Sequence, residues 1–305
     1  MGMIAQDILV TNVPKLAFSG EADTVLADSL TISAGGDAAN EAVILSRLGS
    51  RTALLTRLDS GNVGTMLLEE MKAEGVDTSL LIRPNDCRTM TSMVFIHPDG
   101  EHHFVVGPGK NFDLESGDFD PELLKQTRAI SAASLFGFGH LDTDGMEQIF
   151  RAAQEAGVLT IADTVFDLHG IGPHGVDRVY PYVDYLLPSI GEAVYITGEK
   201  EPEAIAEYFL KAGVKHVVLK LGAGGSFFMD RREAFYTEAF PIDPVDTTGC
   251  GDNFAAAFIH SLLKGKTHRE CMLFASAAGA VNALGVGAHN GVRSEEQLLE
   301  FMKKQ

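Results

Sequence analysis

The order of apolar and breaker residues predicts an α/β fold: a mainly parallel sheet covered by helices on both faces, with a β-hairpin beside it. Three observations carry this. From Ser134 onward, short β-rich runs alternate with helical stretches, the pattern of right-handed βαβ crossovers. Between Arg88 and Val106, two alternating segments read as a hairpin, which a βαβ unit does not supply. A chain of 305 residues is long enough for one large domain with a smaller appendage.

In chain order, Ile4–Thr11 reads as a first strand and Asp28–Ser33 as a further one. The run Ser33-Ala34-Gly35-Gly36-Asp37-Ala38-Ala39-Asn40 leads into a helix over Glu41–Leu48, stopped by Gly49. Its paired glycines suit a backbone that something approaches closely, though on its own a plain turn capped by Asp37 fits better. Arg51–Leu58 is strand-like, and Val63–Glu74 has helical spacing ended by Gly75. Arg88–Ile96 and His102–Val106 form the hairpin, joined at Pro98-Asp99-Gly100-Glu101. His97, His102 and His103 near Glu101 match no metal-ligand spacing and are expected to be exposed. The later strands are Ser134–Phe138, Val158–Asp163, Tyr185–Leu187 and Lys215–Leu221, separated by helices at Asp144–Glu155, Gly191–Thr197 and Pro202–Ala212. Helices over Gly251–Lys264, Arg269–Leu284 and Ser294–Lys303 follow.

Apolar residues at 45% and charged residues at 22% are ordinary for a soluble globular protein. Apolar runs fall short of a bilayer span, and the N-terminal residues lack the basic and apolar regions of a signal peptide. Cys87, Cys250 and Cys271 form neither a disulfide framework nor a metal spacing, so a reducing cytoplasm is expected. A net charge of −18 argues against nucleic acid and anionic membranes as partners. It also means that any bound phosphate needs local donors or a metal.

The stretch from Val245 to Phe254 draws most of the chemistry. Two threonines and two glycines resist helix formation, and an Ala-rich run then favours it, so a loop turns into a helix here. Free N–H groups and the helix dipole make such a start an anion site. Asp252 is the odd member, since a carboxylate repels a phosphate. It serves either as a base taking a proton from an attacking hydroxyl or as a helix cap. Cys250 is either a thiol activated at a helix start or a small packing residue.

Two motifs, in order and covering nearly the whole chain, resemble those of the ribokinase-like carbohydrate kinases (the phosphofructokinase-B group). Gly35-Gly36-Asp37-Ala38-Ala39-Asn40 with Arg47-Leu48-Gly49 looks like the sugar-side glycine motif, and Asp246–Asp252 like the anion-hole and base motif. The resemblance implies a three-layer ribokinase-like sandwich with a mainly parallel central sheet and a small β-sheet lid. It places residues 1–11, 35–86 and 108–305 in the α/β domain and residues 12–34 and 87–107 in the lid. It implies Asp252 as general base, with Gly249, Cys250 and Gly251 lending N–H groups to the phosphoryl, and Gly36, Asp37 and Asn40 facing the sugar. Lys220, Gly222, Gly225 and Ser276 would line the nucleotide site. Glu192 would position magnesium through water, and Asp246 and Thr248, with carbonyls near Asn282 and Gly287, would hold a monovalent cation such as potassium. The activity implied is transfer of the γ-phosphoryl of Mg-ATP to a hydroxyl of a small sugar or sugar acid, in a homodimer joined through the lid.

Some positions depart from that pattern. Ser189 replaces the Asn of the magnesium motif, and Lys220 replaces a small hydroxyl residue. Lys15 aligns with the Asp that the first strand usually offers to the sugar. Two other readings stand beside the sugar kinase. A nucleoside kinase would need an apolar slot near Phe95 or Phe104. A catalytically silent sugar sensor would account for the missing Asp and Ser189.

Overall fold

The computed structural model describes residues 1–15, 24–98 and 102–304, so the hairpin turn at Pro98–Glu101 falls largely outside the described residues. Chain order gives β1 (Ala5–Thr11), β2 (Ser29–Gly35), α1 (Asp37–Arg47), β3 (Thr56–Arg57), α2 (Asn62–Ala73), β4 (Leu81–Ile82), β5 (Met90–Ile96) and β6 (His102–Gly107). The second half holds β7 (Ala129–Leu135), α3 (His140–Asp144), α4 (Met146–Glu155), β8 (Leu159–Thr164), β9 (Tyr185–Leu186), α5 (Ile190–Thr197), α6 (Pro202–Ala212) and β10 (His216–Lys220). The hairpin β11 (Ser226–Met229) and β12 (Ala234–Thr237) precedes α7 (Cys250–Leu263), α8 (His268–Ala283) and α9 (Glu295–Lys303).

The main sheet runs β12-β11-β10-β9-β8-β7, parallel from β7 to β10 and antiparallel through β11 and β12. Helices cover both faces. Phe150, Ile205 and Phe209 from α4 and α6 fill one side, while Ile44, Phe254, Phe258 and Met272 from α1, α7 and α8 fill the other. Burial of such side chains is the dominant stabilising contribution, roughly 1.5–3 kcal/mol each.

Beyond β7 the sheet is interrupted. The Met1 amine donates to the Ser131 carbonyl at 2.6 Å, Ala133 N–H donates to the Met1 carbonyl at 3.0 Å, and Gly2 N–H donates to the Leu55 carbonyl at 3.2 Å. These residues stitch β7 to the short parallel pair β3–β4. Beside them lies a cavity of about 660 Å³, lined among others by Glu41, Ala42, Leu54, Ser131 and Ile259. Burial lowers the terminal amine's pKa to about 6, against the opposing pull of Glu41.

The second sheet has the order β2-β1-β5-β6. Here the first strand departs from expectation: β1 pairs over its whole length with β2 and β5, so Ala5–Thr11 belongs to this small sheet rather than to the main one. Three further differences are local. The first helix begins at Asp37, not Glu41, because Gly36 at φ 89 turns the chain early. The strand expected at Ser134–Phe138 lies earlier, at Ala129–Leu135, and ends where Phe136 takes φ 76. His97 is buried, with Nδ1–H donating to the Val13 carbonyl at 2.6 Å and Nε2 lying 2.6 Å from His103 Nδ1.

Candidate active site

Two helix starts, those of α1 and α7, meet where Asn40 reaches Asp252. At α7, Gly249 takes φ 71, and a Cβ there would fall 2.0 Å from the Ala288 carbonyl oxygen, so only glycine fits. At α1, Gly36 is equally constrained, since its Cβ would meet the Met3 carbonyl oxygen at 2.8 Å. The structure thus makes Gly249 the N-cap residue of α7 and puts Asp252 three positions inside the helix. The capping reading of Asp252 is thereby excluded. Its Oδ2 instead accepts a 2.7 Å hydrogen bond from Asn40 Nδ2, across 212 residues of sequence. Burial, then the neighbouring Asp37, raise the Asp252 carboxyl well above its usual range, while Asn40 and Lys220 pull the other way.

Lys220 ends β10 directly beneath this helix start. Its Nζ lies 3.4 Å from where a Gly251 side chain would begin, and it forms an ion pair with buried Asp163. Burial works against its charge, yet Asp163 and Glu192 more than offset this and raise its pKa. Glu192 is held in place: its Oε2 accepts from Thr164 Oγ1 at 2.7 Å and from Ser189 N–H at 2.9 Å. Ser189 caps α5 in a reciprocal box with Glu192, so this departure from the family motif still fixes the carboxylate. Asp163 and Glu192 offer hard oxygens, and among the described residues no three acidic, His or Cys side chains converge as a cage. That donor set suits magnesium, which keeps its waters and binds through one or two carboxylates plus phosphates.

Gly222 and Gly225, with φ 59 and 87, form the tight turn after Lys220, and Ser276 is half-buried on α8. Asp246 is buried and accepts from Thr248 N–H and Gly287 N–H, each at 2.9 Å. Asn282 Nδ2 donates to the Thr248 carbonyl at 2.8 Å. The four residues expected around a monovalent cation therefore cluster, already tied to one another. Burial pushes the Cys250 thiol up to about 11, the opposite of the shift an activated thiolate needs.

At the glycine-motif end, Lys15 is exposed, four residues past the end of β1. The carboxylate at the glycine motif belongs to Asp7, whose Oδ2 lies 2.0 Å from the position a Gly35 Cβ would occupy. Burial raises its pKa to about 6. Its only sequence signal was a charged residue inside an apolar strand. Asp37 faces Ser134, with Oδ2 3.4 Å from the hydroxyl, and burial raises its pKa as well.

With this geometry in view, the comparisons with known proteins are decisive. The profile of the pfkB family carbohydrate kinases matches residues 7–295. The chain belongs to that family. The kinase is 27% identical to a ribokinase of Haemophilus influenzae over 99% of this chain and 97% of the relative. It is 28% identical to a 2-dehydro-3-deoxygluconokinase of Bacillus subtilis over 88% of this chain and 86% of the relative. The Arabidopsis thaliana ribokinase complexed with ribose and ATP superposes with a TM-score of 0.80 at 26% identity, covering 99% of the kinase and 97% of that chain. A putative ribokinase from Agrobacterium tumefaciens gives a TM-score of 0.85 at 20% identity, covering 100% and 95%, a likeness of fold alone. The kinase thus has the three-layer ribokinase-like fold, and its chemistry is phosphoryl transfer to a carbohydrate.

Proposed function

We propose that the kinase moves the γ-phosphoryl of ATP to a hydroxyl of a small sugar or sugar acid, with Asp252 as the base. One observation carries this: Asp252 sits inside the first turn of α7, its carboxylate bonded to Asn40 of the sugar-side motif. The attacking hydroxyl then lies between Asn40, Asp37 and Asp7 on one side and the N–H groups of Gly249 and Gly251 on the other, while Cys250 N–H already donates to the Thr247 carbonyl at 3.2 Å. Asp252 takes the hydroxyl proton as the oxygen attacks phosphorus. The helix start and Lys220 oppose the charge spread over the equatorial oxygens. Magnesium, when bound, supplies further charge neutralisation, with Glu192 and Asp163 as the residues that would hold it. The cluster at Asp246, Thr248, Asn282 and Gly287 would order the anion-hole loop around potassium.

Asp7 and Asp37 favour a neutral polyol, because an acid would meet like charge there. A nucleoside acceptor is less well served: Phe95 shares a row with Leu30 and Val10, on the face of the lid opposite Asp7. That outer face leaves Leu30 63%, Ile32 46% and Val105 51% exposed, which supports a homodimer joined lid to lid. The unpaired thiols suit a cytoplasmic enzyme, and among the described residues no helix is long and apolar enough to cross a membrane. ADP release measured with ribose, fructose, ketodeoxygluconate and adenosine tests the assignment. Turnover with a sugar and not with adenosine is expected; turnover with adenosine alone would overturn it.

A further inference from the structure

We infer that His289 is a positioning residue for the catalytic base, acting through the amide of Asn40. The inference rests on the reading of Asp252 as that base. His289 lies in the loop after α8, is 3% exposed, and places Nδ1 3.0 Å from Asn40 Oδ1. The other end of the same amide, Nδ2, meets Asp252 Oδ2 at 2.7 Å. The donors and acceptors along this line can be assigned by elimination. To act as the base Asp252 must be ionised, and an ionised carboxylate only accepts, so the NH₂ of Asn40 faces Asp252 and its oxygen faces His289. An amide oxygen only accepts, so His289 Nδ1 must carry a proton. Without that donor, the Asp252 carboxylate alone orients the Asn40 amide, whose oxygen loses the His289 N–H that holds it from the other side.

The ring itself is held from several sides. Its Nε2 lies 3.6 Å from Glu70 Oε1, and Glu70 Oε2 accepts from Ala34 N–H at 2.9 Å. Arg47 donates to the His289 carbonyl and, at 2.8 Å, to the Val292 carbonyl, while also binding Glu74. The next residue back, Ala288, gives its carbonyl to Asn253 Nδ2 at 2.7 Å, one residue beyond the base. One loop thus touches the base helix through Ala288 and the sugar-side helix through His289. The same Asn40 NH₂ group has a second proton, free to meet the acceptor hydroxyl. Aligning that amide therefore aligns base and acceptor together.

The test compares His289→Leu, His289→Asn and Asp252→Asn, with a sugar that the wild-type kinase turns over. Asn carries an NH₂ close to where His presents Nδ1–H, so it preserves the donor, whereas Leu removes it. The expected result is a roughly 10- to 100-fold loss of kcat for His289→Leu, with the KM for ATP within about twofold, and recovery of most of kcat in His289→Asn. All assays are run well below the melting temperature of each variant, so folding does not enter. Equal kcat for the Leu and Asn variants, or a loss confined to the KM for ATP, would overturn the inference. If Asp252→Asn is inactive while His289→Leu keeps full rate, the inference alone falls. If Asp252→Asn keeps its rate, the assignment of the base falls instead.

Discussion

Replacing Asp252 by Asn keeps the shape of the site and removes its basicity. The hydrogen bond from Asn40 at 2.7 Å survives with the new amide oxygen as acceptor, weakened from charge-assisted to neutral, a change of about 1 kcal/mol. The N–H groups of Gly249, Cys250 and Gly251 belong to the backbone and stay. Lost is proton abstraction, worth about 10²–10⁴ in rate, or roughly 3–5 kcal/mol of barrier. Stability is set by opposed effects. A carboxylate in the first turn of α7 gains about 0.3–1 kcal/mol from the helix dipole. Against this, burial, then Asp37 and Asp163, disfavours the same charge, and Asn removes these penalties. The melting temperature at neutral pH should therefore hold at or rise above that of wild type. Scanning calorimetry, ATP titration and steady-state kcat on the one variant suffice as assays. ATP affinity should hold or tighten. A kcat above a tenth of wild type, or a fall in melting temperature with turnover kept, would refute the reasoning.

Lys220→Met should destabilise by about 3–5 kcal/mol, because it strands Asp163 at 4% side-chain exposure. Adding Asp163→Asn should restore the melting temperature yet leave kcat/KM for ATP below that of Asp163→Asn alone; equality with that single variant would leave Lys220 a purely structural ion pair. Glu41 is 3% exposed, and burial raises its pKa from 4.5 to about 7. A carboxyl that holds its proton in the fold contributes stability fully below its unfolded pKa and loses it as pH rises through the folded value. Glu41→Gln should therefore match wild type near pH 4.5 and exceed it by up to about 3 kcal/mol at pH 8; a pH-independent difference in melting curves would contradict this. If the proposed lid-to-lid dimer forms, the wild type should scatter as a dimer, and paired Leu30→Glu and Ile32→Glu should give a monomer with the melting temperature kept; a monomeric wild type or an unchanged dimer mass would refute that interface.

The helices were legible because their signals are local. Pro202 opens α6 and Ala212 closes it as the spacing foretold, and the termini of α5, α7, α8 and α9 agree within a residue. Strands were harder where pairing decides them. Arg51–Leu58 looks like a strand, yet only Thr56–Arg57 finds a full partner, in β4. The hairpin β11–β12 is harder to see: Phe227, Phe228, Phe235 and Tyr236 are typical strand residues, but the charged run Asp230-Arg231-Arg232-Glu233 between them carries no glycine, proline or asparagine to mark a turn. The site divides in the same way. Gly36, Asn40, Gly249 and Asp252 are visible as two short motifs, whereas Asp7, Asp163 and His289 join them only through tertiary contacts.

The interrupted main sheet bears on how the kinase can be handled. Met1 is paired parallel to β7, and the open slot beside it is walled by Leu54 and Ser131. Residues joined ahead of Met1 would be led into that slot, between the two halves of the sheet, before they could reach solvent. An affinity handle or fluorophore fused there becomes part of the fold's interior, competing for backbone partners at Ser131 and Ala133. Lys303 and Lys304, exposed at the end of α9, offer a point of attachment that disturbs none of this.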